Sequence, residues 1–131
     1  MEPIKMVDLR QQYNKIAKDI EARWAKILAD TAFIQGPDVT RFATNLAGYL
    51  GVRHVIPCGN GTDALQAAMM ALDLQPGDEV ITTDFTFIAT AEVIALLRLA
   101  PVLVDVTPDT FNIDPAAIER AITPRTTASV P

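Results

Sequence analysis

His54-Val55-Ile56-Pro57-Cys58-Gly59-Asn60-Gly61-Thr62-Asp63-Ala64-Leu65 decides how the rest of the chain is read. A short apolar run enters the two glycines, and a run rich in alanine and methionine, Ala64 to Leu74, leaves them. The pattern predicts strand, glycine turn and helix. A helix that starts at such a turn aims unpaired N–H groups and the positive end of its dipole at the turn. A phosphate binds at such a place, and Thr62 adds a hydroxyl to it.

Upstream, Leu9, Tyr13, Ile16, Ile20, Trp24 and Ile27 recur at helical spacing over residues 8–28. Asp8 is placed as N-cap and Gln11 for a capping box. The Ala32–Pro37 segment breaks this helix. Pro37 opens a second one and Gly51 stops it, with Val39, Phe42, Leu46, Tyr49 and Leu50 on the buried face. Arg53 to Cys58 then reads as the first strand.

Downstream, Gln75-Pro76-Gly77-Asp78 is a turn. Strands are predicted at Glu79–Thr83 and Pro101–Asp105, and the start of another at Thr127–Pro131. Thr86–Leu97 reads as a helix, Thr107–Thr110 as a loop, and Asp114-Pro115 as the opening of a short helix ending near Thr123-Pro124. Strands alternating with helices predict an α/β fold with a parallel sheet and right-handed crossovers. The helices around Ala64–Leu74 and Thr86–Leu97 are almost wholly apolar, and three or four strands cannot cover them. The chain therefore reads as the opening part of a larger α/β domain or as half of an intimate dimer.

Composition narrows the function classes. With 131 residues, half of them hydrophobic and 21% charged, the chain has enough apolar side chains for a core. The net charge is −5, and the four lysines fall within the first 26 residues. No basic block exists to attract nucleic acid or anionic lipid. The single cysteine, Cys58, excludes an internal disulfide and favours a reducing compartment. Met1–Lys5 has no signal core and no stretch has the length of a membrane span, so a cytoplasmic protein is expected. No metal site is predicted, because Asp105 and Asp109 lack calcium-loop spacing and no Cys/His cluster occurs. His54 reads as structural or surface, Trp24 as packing, and Cys58 as a buried small hydrophobe.

Two cofactors fit the glycine turn. Gly59, Gly61 and Ala64 satisfy the dinucleotide pattern, with Asp84 about twenty residues on as an acid for ribose hydroxyls, so NAD is one candidate. Polar Asn60, Thr62 and Asp63 inside the turn disfavour it. A nucleoside-triphosphate loop is excluded, since no Lys-Ser/Thr pair follows the glycines. Phe85 or Phe87, at the end of the next strand, would lie at the same sheet edge, where ligands of parallel sheets bind. A phosphate cradle beside a flat apolar ring suits a planar phosphorylated cofactor; core packing is the plainer account of these phenylalanines.

The ordered set Phe33-Ile34-Gln35-Gly36-Pro37, Gly59–Leu65, Pro76–Ile81, Thr86–Glu92, Val104-Asp105-Val106, Thr110–Asp114 and Ala121–Thr126 resembles the sugar aminotransferases of the DegT/DnrJ/EryC1/StrS family. The likeness is greatest to the branch acting on UDP-linked 3-keto amino sugars. It implies a partial three-layer fold-type-I aminotransferase large domain, mostly parallel, preceded by two amphipathic helices. Residues 1–52 would be the N-terminal helical segment and 53–131 the first part of the cofactor-binding domain. The resemblance implies pyridoxal 5'-phosphate as cofactor, its phosphate held by Gly61 and Thr62 with Asp63 beside them, and its ring stacked on Phe87. It implies a substrate entrance near Phe33–Gly36 and a homodimer with shared sites. The reaction would move an amino group from an amino acid, glutamate foremost, to a keto sugar nucleotide. The family's Schiff-base lysine and the aspartate at the pyridine nitrogen fall beyond residue 131, so no catalytic residue is assigned and the chain alone is expected to be inactive. Arg98 and Thr127 depart from the family's usual glycine and lysine. A small NAD-binding or non-catalytic interaction domain is the alternative function.

Overall fold

A computed structural model describes residues 6–131. Met1–Lys5, where the absence of a signal core was noted, lie outside the described residues. The chain forms two compact units, one up to Pro57 and one from Cys58 to Pro131.

The first unit holds α1 (Leu9–Asp30) and α2 (Pro37–Leu50). Asp8 caps α1 as expected, its carboxylate accepting the Gln11 N–H at 3.0 Å. The helix ends at Thr31, which takes a left-handed backbone with φ 50°. Pro37 occupies the first turn of α2, where its missing N–H costs nothing. Gly51 ends α2 at φ 68°, a conformation that side chains with a Cβ resist. The apolar stripes of both helices are present, yet neither helix contains a buried residue. Trp24 is exposed, so the packing role expected of it is not fulfilled within this chain.

The second unit contains α3 (Gly61–Ala71), β1 (Glu79–Thr83), α4 (Ala89–Leu96), β2 (Ala100–Val104), α5 (Pro115–Ala121) and β3 (Thr126–Val130). The strands form one parallel sheet in the order β2-β1-β3. β1 is central and every one of its residues is buried. Successive side chains of a strand point to opposite faces, and here that divides the core in two. Val80 packs with Met69, Val93, Ile94 and Leu99, while Ile81 packs with Val104 and Ala117. Helices α3 and α4 thus cover one face and α5 the other, giving three layers. Burial of Ile81 contributes about 2 kcal/mol. The Gln75–Asp78 turn forms as predicted, with Gly77 at φ 92° and the Asp78 N–H donating to the Gln75 carbonyl at 2.9 Å.

One predicted element is absent. Arg53–Cys58 has the apolar run of a strand but is irregular. A strand exists only as part of a hydrogen-bonded ladder, and among the described residues this segment has no strand partner. Two helices also begin later or earlier than their apolar runs indicate. The helix after the glycines begins at Gly61, because Asn60 caps it, and α4 begins at Ala89, three residues after Thr86. Among the described residues no helix is long and apolar enough to cross a membrane.

Candidate functional site

The glycine stretch builds its site from the cap outward. Asn60 is the N-cap of α3, with an extended backbone, and its Oδ1 accepts the Asp63 N–H at 3.0 Å. Its Nδ2 donates to Asp63 Oδ2 at 3.1 Å. The Asn60 carbonyl accepts the Ala64 N–H at 3.1 Å, the first bond of the helix. One asparagine therefore uses three groups to lock the first turn. Asp63 is drawn against Gly59: a Cβ on Gly59 would stand 2.8 Å from Asp63 Oδ2. Gly59 must stay without a side chain for this carboxylate to fold back.

What remains open is the other side of the turn. Among the described residues, the Gly61 N–H, the Thr62 N–H and the Thr62 hydroxyl have no partner in the chain. A Cβ on Gly61 would meet nothing within 4 Å, so the turn is uncrowded at this residue. Three donors at the positive end of an 11-residue helix are suited to a phosphate.

Phe87 stands apart from these three residues, between the end of β1 and the start of α4. Its carbonyl accepts the Thr90 N–H at 3.3 Å and its ring is 76% exposed. No hydrogen bond joins it to Gly61, Thr62 or Asp63, but α3 and α4, which begin at the two places, pack on one another. Phe85, also exposed, pairs with Phe111 at 5.5 Å between ring centres. Core packing of Phe85 and Phe87 is thereby overturned, since both rings face outward. The expectation for Cys58 fails too: it is exposed, with its thiol 3.5 Å from the Asn60 carbonyl. A turn that begins a helix at the surface has no interior to bury it in. His54 is exposed, in keeping with its surface reading. In the first unit, Phe33 is exposed and lines a cavity of about 190 Å³ with Ile27, Pro37 and Val39. The chain backbone is tight there, since a Cβ on Gly36 would lie 2.8 Å from the Ala32 carbonyl.

Sequence reasoning overlooked two participants. Asn60 was legible as an N-cap three residues before an acid, but its clamp on Asp63 was not. Phe111 had no sequence signal at all; it meets Phe85 from 26 residues away. The dinucleotide reading loses its context, because the strand it requires before Gly59 does not form.

Known proteins share the sequence and the fold of the chain. A sequence model of the DegT/DnrJ/EryC1/StrS aminotransferase family matches residues 14–131, and the chain belongs to that family. It is 48% identical over 128 residues to the UDP-2-acetamido-2-deoxy-3-oxo-D-glucuronate aminotransferase of Pseudomonas aeruginosa, covering 98% of this chain and 36% of that protein. It is 45% identical to the UDP-N-acetyl-3-dehydro-alpha-D-glucosamine 3-aminotransferase of Acidithiobacillus ferrooxidans, covering 98% and 35%. The crystal structure of NtdA from Bacillus subtilis, with bound cofactor PMP, superimposes with a TM-score of 0.92 at 35% identity, covering 98% of this chain and 30% of that one. The chain thus spans about a third of the length of these relatives. Its α/β fold is that of fold-type-I aminotransferases.

Proposed function

We propose that the chain is the phosphate-holding part of a pyridoxal-phosphate-dependent aminotransferase, which transfers an amino group from an amino acid, glutamate foremost, to a keto sugar nucleotide. The observation that carries this reading is the set of three unpartnered donors at Gly61 and Thr62, on a chain of this family. The relatives named for UDP-linked keto sugars support the substrate class, and the PMP-bound relative supports the cofactor. In this reading residues 53–131 are the first part of the cofactor-binding domain and 1–52 its helical preface.

When bound, pyridoxal phosphate supplies an aldehyde to carry the amino group and a ring that spreads charge from the reacting carbon. The chain's own residues bind and orient. The Gly61 and Thr62 N–H groups and the Thr62 hydroxyl donate to the phosphate. Asn60 keeps the Asp63 carboxylate turned to Gly59, away from the open side of the turn. Phe87 offers a ring face. The chain has no lysine after Lys26, so the amine that anchors the aldehyde and moves the proton is assigned to a residue outside 1–131. A cytoplasmic homodimer with shared sites completes the reading; the uncovered apolar side chains Met70, Leu72 and Leu96 support an extensive contact.

Titration with pyridoxal phosphate tests the site. The ligand is expected to raise the melting temperature, NAD to leave it unchanged, and Thr62→Ala to weaken binding about tenfold, the worth of roughly one hydrogen bond to a charged group. A shift with NAD alone, or a Thr62→Ala protein that binds as well as the parent, would overturn it.

A further inference from the structure

The sheet carries a second organised polar cluster, at the end opposite the Asp84–Phe87 loop. Glu79 is the first residue of β1, and its side chain is only 6% exposed. Every side-chain partner it has comes from residues 123–127, just before and at the start of β3. Thr123 Oγ1 donates to Glu79 Oε2 at 2.5 Å, Thr126 Oγ1 to the same oxygen at 3.3 Å, and Arg125 Nη2 to Oε1 at 2.5 Å. The backbone joins in: the Glu79 N–H donates to the Arg125 carbonyl at 2.9 Å, and the Thr127 hydroxyl donates to the Glu79 carbonyl at 3.4 Å.

Each hydroxyl also accepts a backbone N–H, which leaves its proton for the carboxylate. Thr123 Oγ1 accepts the Arg125 N–H at 3.1 Å, and Thr126 Oγ1 accepts the Thr123 N–H at 2.9 Å. Each hydroxyl has one proton, and both protons are given to Glu79. A guanidinium can only donate. A carboxylate, accepting at both oxygens, is the group that takes both hydroxyl protons and the guanidinium at once. A glutamine amide loses one acceptor oxygen: in one orientation both hydroxyls must turn their protons away from it, and in the other its N–H donors stand against Arg125. A protonated carboxyl keeps less acceptor capacity and loses the charge that attracts Arg125.

The cluster coincides with an irregularity of the sheet. Glu79 is opposite Thr126, but Val80 is opposite Ala128, so the pairing slips by one residue at Thr127. Such a bulge leaves an extra residue outside the ladder and needs a local device to hold it. We propose that Glu79 is an acid-sensitive clasp that holds β3 in its shifted register on β1. Arg125, from the α5–β3 connection, is the charge that acts on the carboxylate. β2 sets Ala100 opposite Glu79, and β3 sets Thr126; among the described residues no other charged side chain bonds to it. The Thr123 hydrogen bond does most to hold the carboxyl below its ordinary range; burial opposes this, and Arg125 and Thr126 add to it. A carboxyl depressed in the folded state contributes stability above its unfolded pKa of about 4.3 and loses it as the pH falls through the lower folded value.

Hydrogen exchange of the purified protein, corrected for the intrinsic effect of pH, tests the clasp. At neutral pH, Glu79→Gln is expected to speed exchange of the 126–130 amides roughly tenfold, and the gap to the parent should close at a pH below the folded titration. Thr123→Val, which removes one donor and keeps the shape, should shift exchange in the same direction by less, and Thr123→Ser should behave as the parent. Thr123→Val also serves if the Gln variant does not fold. Equal protection in Glu79→Gln and parent at neutral pH, a gap that persists unchanged in acid, or Thr123→Val indistinguishable from Thr123→Ser would each overturn it.

Discussion

Asn60 separates two jobs that the glycine turn combines: starting a helix and leaving donors free. Its side chain satisfies the third N–H of α3 and restrains the acid that carries it, so only the Gly61 and Thr62 donors are left open. Replacing Asn60 with Ala removes the cap and should cost about 1 kcal/mol of stability, read as a lower urea midpoint. Asn60→Asp makes the sharper comparison. Aspartate caps as well as asparagine, but it sets a second carboxylate against Asp63 Oδ2, which Asn60 Nδ2 meets at 3.1 Å, so stability should fall modestly. Its carboxylate cannot donate to Asp63, and it adds a negative charge beside the phosphate. At about 4 Å in water that repulsion is worth about 1 kcal/mol, so pyridoxal phosphate affinity should fall roughly fivefold. An Asn60→Asp protein that binds unchanged would show that the turn does not face the phosphate. At this scale the sequence is most legible where one residue acts through its own backbone. Gly61 and Thr62 are read from the turn; the Asn60–Asp63 clamp and the Phe85–Phe111 pair depend on side-chain placement and are not.

Among the elements, those with an end signal were readable. Asp8, Pro37, Gly51 and Asp114 each mark a terminus with its own chemistry, and each sits where that chemistry places it. The Arg53–Cys58 strand failed because composition measures suitability for a ladder and says nothing about whether a partner is present. Thr86–Leu97 overran its helix at the front because Thr86 to Ile88 are as apolar as α4 itself, and no capping side chain marks Ala89. The Gly51 terminus offers a direct test of the end-signal argument. A Cβ there meets nothing within 4 Å, so crowding plays no part and only the backbone angle matters. Gly51→Ala should destabilise α2 by about 1 kcal/mol, seen as a lower melting temperature, while Gly48→Ala, inside the same helix and equally uncrowded, should be neutral or stabilising. Equal effects of the two would refute the left-handed requirement.

Across the whole chain, the alternation of strands and helices made the parallel α/β class legible, and the two apolar helices indicated that more must cover them. The strand order was not legible. Nothing in Glu79–Thr83 announces a strand enclosed on both sides; Thr82 and Thr83 are polar, yet both are buried there. That β3 lies beside β1 depends on a contact 46 residues long in sequence, the Arg125–Glu79 pair among others, and no local pattern encodes it. The uncovered surface is the readable consequence. Helix α4 buries Ala89, Val93 and Ile94 against the sheet, while Leu96 beside them is 65% exposed, with Met70 and Leu72 of the α3 region similarly bare. Apolar surface of this kind lowers its free energy by association, at about 25 cal/mol per Å² removed from water. The 131-residue chain is therefore expected to bind an apolar fluorescent dye and to grow in apparent size with concentration. Leu96→Gln should weaken both effects with no loss of helical content, because an exposed glutamine suits a helix nearly as well as leucine. A chain that stays monodisperse and monomeric with no dye signal would show that these side chains need no cover. A Leu96→Gln protein that associates as before would place the sticky surface elsewhere than on α4.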